Sequence, residues 1–152
     1  MTESHQRILE PSAGFASAEV GSFLTQMDDQ TRRLTEDTRD MTPAELSWQL
    51  RPGTNTIGML LAHIAIVEVF WLSIAAEVPP DCEQVLGIGE DDDGLPIPPQ
   101  GSPPAGLANR DLSFFDDLLA RARAYDKSLT SRWTDADLEH RSEEHTSELQ
   151  SH

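Results

Sequence analysis

The break Arg51-Pro52-Gly53-Thr54-Asn55-Thr56 and the run after it, Ile57-Gly58-Met59-Leu60-Leu61-Ala62-His63-Ile64-Ala65-Ile66-Val67-Glu68-Val69-Phe70-Trp71-Leu72-Ser73-Ile74-Ala75-Ala76, decide the fold. Pro52 and Gly53 stop whatever precedes them, Asn55 or Thr56 can cap a new helix, and from Ile57 to Ala76 only His63 and Glu68 are ionisable. A helix that is apolar nearly all round belongs in an interior, so this one is read as the central core helix. It would reach about 30 Å, a bilayer's width. Glu68 in mid-run, the polarity of Gly58, His63 and Ser73, and the lack of closely flanking Lys or Arg argue against a membrane span.

Upstream, Val20, Phe23, Leu24, Met27, Leu34 and Met41 recur between charged residues with the 3.6-residue period of an amphipathic helix, weakest near Gln30 and Thr31. Thr42-Pro43-Ala44-Glu45-Leu46 then reads as a capping box opening a short helical turn. Downstream, Val78 to Asn109 holds seven of the ten prolines, five of the nine glycines and the acidic run Glu90-Asp91-Asp92-Asp93. That density of breakers predicts a long surface crossover without helix or strand, its acidic run solvated. It is not a calcium loop: with Gly94 as the turn glycine, the first ligand position falls on Gly89 and the twelfth on Gln100. A further amphipathic stripe runs through Leu112, Phe115, Leu118, Leu119, Ala122, Tyr125, Leu129 and Trp133, capped by Asn109 or Asp111. Thr134-Asp135-Ala136-Asp137-Leu138 then echoes the capped turn at Thr42.

The chain thus reads as two copies of a long helix plus a capped turn, with the core helix following the first copy. After the second copy a fourth long helix is expected, and the sequence does not supply it. The fold class is all-α: an antiparallel four-helix bundle with only three long helices in residues 1–140, followed by a disordered tail, 141–152.

The charge narrows the partners. Among 152 residues, 27 Asp and Glu stand against 11 Lys and Arg, a formal charge of −16 that repels phosphate backbones and anionic membranes. Nucleic acid is not expected as a partner. The single cysteine, Cys82, cannot close an internal disulfide, and the polar, acid-containing start lacks a secretory layout, so the expected compartment is a reducing cytoplasm. Carboxylates near Cys82 raise its thiol pKa and make it a poor nucleophile. Glu68, five residues past His63, points elsewhere on the helix, and Trp71 and Trp48 are read as packing residues.

His63 is the informative ionisable group, because a core imidazole needs a partner for each ring nitrogen. The motif Arg51 to Ile64, followed by Val67-Glu68-Val69-Phe70-Trp71, resembles the second-helix signature of the DinB-like superfamily of four-helix metalloproteins. The segment Leu34 to Leu50, the Gly94-Leu95-Pro96 loop and the turn Thr134 to Leu138 fit it too, so the resemblance covers roughly residues 15 to 140. It implies that one His on helix two joins a His-x-x-x-His pair on helix four around a divalent metal (Zn, Ni or Fe), leaving open positions for water or a thiol. Only the first ligand carries over, onto His63. The resemblance further implies a metal-dependent transferase or isomerase that activates a low-molecular-weight thiol against a small-molecule electrophile. A non-catalytic helical bundle, as monomer or homodimer, in which His63 is merely buried and hydrogen-bonded, stays open as the alternative.

The second half of that ligand set is missing. His140 and His145 are spaced by five, some 140° apart on a helix. Arg141 to Ser151 resembles the translation of a common sequencing adapter, and His145 falls within it and His152 directly after it. The chain is therefore expected to be a truncated, inactive relative that retains no stoichiometric metal, since one protein ligand of three does not hold such an ion.

Overall fold

The computed structural model describes residues 9–140. Among them there is no strand, and the elements in chain order are α1 (Ala18–Asp37), α2 (Pro43–Leu46), α3 (Ile57–Ala75), α4 (Cys82–Leu86) and α5 (Leu112–Thr130). The expected all-α class is what the chain adopts. The segment 141–152, expected to be a disordered tail, lies outside the described residues.

Each helix starts where a side chain can take up its first free N–H groups. Thr42 accepts from the Glu45 N–H while the Glu45 carboxylate accepts from the Thr42 N–H at 2.8 Å, the reciprocal box that the sequence predicts. Those hydrogen bonds pull the Glu45 carboxyl below its ordinary pKa. Of the two candidate caps for α3 it is Thr56 that accepts, from the Met59 N–H at 3.1 Å; for α5 it is Asp111, which accepts from the Phe114 N–H at 3.1 Å. The second box also forms: the Thr134 N–H donates to Asp137 at 2.8 Å and the Asp137 N–H donates back to Thr134. Residues 135–140 follow it as helix.

Three expectations need correction. α1 runs unbroken through Gln30 and Thr31, where the apolar period is weakest, but stops at Asp37, short of Met41 at the end of its stripe. α5 ends at Thr130, with the Trp133 N–H donating to the Thr130 carbonyl beyond it. The crossover 78–109 contains a helix, α4, because Cys-Glu-Gln-Val-Leu is a gap in the run of breakers. Asp81 caps its start through the Gln84 N–H, and Gly87, at φ 76°, ends it in the left-handed region where glycine is unstrained. Cys82, Leu86 and Leu107 are buried, so the crossover supplies core as well as surface.

The chain divides into two compact units. One takes Met1–Gln30 and Thr130–His152. In its described part, Ser17 caps α1 through the Val20 N–H and its hydroxyl donates to Asp135, while the Ala16 N–H donates to the Ser131 carbonyl at 3.0 Å. The other unit, Thr31–Leu129, holds the main apolar core. There Met59, Ala62, Ala65 and Val69 of α3 are sealed with Phe115, Leu118 and Ala122 of α5, Leu46 of α2 and Leu86 of α4, and Leu34 packs against them. Gly58 sets the approach of α3 to its neighbours: a Cβ there would meet the Phe115 ring at 2.8 Å and the Leu46 carbonyl at 3.2 Å.

Through this core runs a polar network that the sequence reading missed. Arg123 of α5 grips Glu68 of α3 with two hydrogen bonds, Nε to Oε1 at 2.7 Å and Nη2 to Oε2 at 3.1 Å, and also donates to the Thr31 hydroxyl at 3.2 Å. Glu68, expected only to point away from His63, is one half of a buried forked ion pair. One turn along α5, the fully buried Asp126 hydrogen-bonds Glu68. Burial pushes its carboxyl up to about 9, the Glu68 hydrogen bond and charge add to the rise, and Arg123 opposes it. That rise favours the protonated carboxyl, whose O–H can donate to Glu68.

The sign of the pH effect follows. From the ordinary aspartate value of 3.8 up to about 9 the unfolded chain has lost a proton that the folded chain retains, so this group's contribution falls as pH rises through that window and levels off above it. The slope is at most about 1.4 kcal/mol per pH unit. Asp126→Asn keeps a neutral donor for Glu68 and removes the slope. Urea unfolding should show the variant close to wild type at pH 4.5 and clearly more stable at pH 8.5; a difference that does not grow with pH would mean that Asp126 is ionised in the fold.

Candidate functional site

His63 lies on α3 one turn beyond Met59, on the same side of the helix. Met59 is fully buried, whereas the His63 side chain is 43% exposed, so the imidazole stands at the margin of the core and not within it as the sequence suggested. Its Nδ1 lies 2.7 Å from Oδ2 of Asp93, whose side chain is 3% exposed. The last member of the acidic run is therefore sequestered, against the expectation of a solvated tract.

The loop around Asp93 is built to reach α3. Gly94 sits at φ 72°, and a Cβ on it would meet the Pro104 ring at 2.5 Å and the Met59 methyl at 3.6 Å. Only glycine fits this backbone between the proline and the helix. The other Asp93 oxygen accepts from the Leu95 N–H at 2.9 Å, and the Gly94 N–H donates to the Asp91 carbonyl at 3.0 Å. Asp92 turns the opposite way and accepts from the Gly89 N–H at 2.6 Å. Thirty positions separate His63 from Asp93. Nothing in the local sequence tells which of four consecutive acids would turn inward; the one cue is the glycine directly after Asp93.

The other singled-out residues do not join this pair. Cys82 opens α4 in a buried position where burial, then Glu90, then Asp81 push its thiol up, in the direction expected. Trp48 and Trp71 are 62% and 61% exposed, against the packing roles read from the sequence; the Trp71 ring meets the Phe70 ring edge-on, at 5.3 Å between centroids. His140 closes the described residues, and His145 and His152 lie outside them. Among the described residues no three His, Cys, Asp or Glu side chains come together as a metal site. The donor set fits one position of a metal's coordination sphere and not a whole sphere.

An all-α protein with a carboxylate-held histidine on its most apolar helix is the class that these features define. The family model described as the DinB superfamily matches residues 26–149, most of the chain, and the chain belongs to that superfamily. Its members commonly bind divalent metals. No curated protein and no solved structure matches the chain.

α3 has the length and apolar composition of a membrane-crossing helix, criteria that a core helix also meets. Among the described residues, one flank of it is uncovered. Leu60, Ile64, Trp71 and Ile74 are exposed at helical spacing beside His63. Such a row on a soluble chain should bind a hydrophobic dye or drive self-association. Paired replacement of Leu60 and Trp71 by Gln should lower both dye fluorescence and sedimentation-observed association; a monodisperse wild-type chain that leaves the dye dark contradicts this.

Proposed function

We propose that this chain carries the first ligand of a DinB-type metal centre, and that the protein it represents is a metal-dependent enzyme of the thiol S-transferase or isomerase kind. In that reading the fold is an antiparallel four-helix bundle in the cytoplasm, residues 1–140 supply three of the long helices, and His63 binds a divalent ion (Zn, Ni or Fe) through Nε2. The observation that carries it is the pairing of His63 Nδ1 with buried Asp93 at 2.7 Å, which leaves Nε2 as the ring nitrogen not engaged by that bond on a half-exposed side chain. Family membership supports the metal. The remaining donors would come from outside the described residues. A low-molecular-weight thiol and a small electrophile are the substrates that this activity class takes.

A second reading has an observation of its own. The His63–Asp93 hydrogen bond fastens the crossover 78–109 to α3, and a histidine that does only this would be structural. Metal content separates the two. The uninterrupted coding sequence past His140 should encode a fourth amphipathic helix with a His-x-x-x-His pair, and the protein expressed from it should hold one equivalent of divalent metal. His63→Ala in that protein should remove the metal at unchanged helicity. Equal metal in both, with stability lost in the variant, would leave His63 the structural role.

A further inference from the structure

We propose that Asp93 is a positioning residue: it locks the His63 ring in the Nδ1–H form, so that Nε2 presents a fixed lone pair at the protein surface for a divalent cation. The nature of the acceptor at Nε2 rests on the function proposed above; the lock itself rests on geometry alone.

A neutral imidazole carries one proton, and the nitrogen without it is the only one able to coordinate. Which nitrogen that is depends on the partner of the other. Here Asp93 Oδ1 accepts from the Leu95 N–H at 2.9 Å, and Oδ2 lies 2.7 Å from His63 Nδ1. An ionised carboxylate has no proton to give, so opposite it the ring supplies the hydrogen at Nδ1. Asp93 cannot turn aside: it is 2% exposed, its backbone is followed by Gly94 wedged against Pro104, and the Leu95 N–H holds its second oxygen. The ring cannot turn either without giving up a buried carboxylate. A carboxylate behind a histidine that ligates through its far nitrogen fixes ring orientation and raises donor strength. Asp91 and Asp92, turned outward in the same run, have no such part.

The test is the nitrogen spectrum of the metal-free 152-residue chain labelled with 15N-histidine, at pH 8.5, well above the range in which an ordinary imidazole titrates. His63 should show a protonated Nδ1 and a bare, pyridine-type Nε2. Asp93→Ala should move the proton largely to Nε2 at unchanged circular dichroism. Should that variant lose helicity, Asp93→Ser keeps an acceptor near the Leu95 N–H but is too short to reach the ring, and it should shift the proton in the same way. A wild-type spectrum with the proton on Nε2, or a folded variant with the wild-type pattern, overturns the assignment. Because no metal is added, this outcome is independent of the metal content that tests the proposed function.

Discussion

α3 has no polar face to give to water, and most of residues 31–129 is arranged to cover it. Phe115 and Leu118 on α5, Leu46 on α2 and the α4 residues Cys82 and Leu86 all close on it. The contact that fixes how near they come is at Gly58, where any side chain would collide with the Phe115 ring and the Leu46 carbonyl. Close packing at that density leaves no room for an unpaired charge, and this is why Glu68, the single acid on α3, is gripped by both arms of Arg123. The pair is evidence of specificity more than of strength, since the cost of drying two charges offsets most of their attraction. The proton on Asp126 completes it, because two buried carboxylates facing one guanidinium would leave a net charge in the core.

The same covering demand shapes the crossover. A segment with seven prolines cannot form a long helix, yet it must shield the flank of α3 around Met59. It does so with a five-residue helix and with proline and glycine backbone pressed against the helix, bringing Leu86, Leu107 and Asp93 inward. Asp93 is buried where it meets two partners, the Leu95 N–H and the His63 ring. The histidine and the loop are thus mutually dependent: the loop orients the ring, and the ring satisfies the carboxylate that the loop carries inside.

What could be read beforehand follows from how far each signal reaches along the chain. Caps and periodicity act over three or four residues, so the boxes at Thr42 and Thr134, the start of α3 and the stripe of α5 are all visible in the residues themselves. α4 was hidden because breakers were judged by their density over thirty residues, while a helix of one turn needs only a short gap and an Asp to open it. The Glu68–Arg123 and His63–Asp93 pairs join residues 55 and 30 apart, and no local pattern encodes which distant groups meet. The exposure of Trp71 is illegible for a related reason: an aromatic on an apolar helix looks like core until the number of elements available to cover that helix is known.

The two ionisable side chains of α3 have opposite fates, and the helix itself explains the difference. Five residues turn an α-helix by about 500°, so Glu68 and His63 diverge by about 140° around the axis. Glu68 faces α5 and takes its guanidinium partner from there; His63 faces the crossover and takes its carboxylate from the loop. Each is paired with the opposite kind of group, and the tightly packed, apolar helix body lies between them. A charge fixed deep in the core therefore fixes the register of α3 against α5 without reaching the imidazole, while the imidazole keeps one nitrogen engaged and the other at the margin of the protein. An apolar helix with one ionisable side chain per flank can serve as core and as the support of a site at once, because the two tasks use different sides of it.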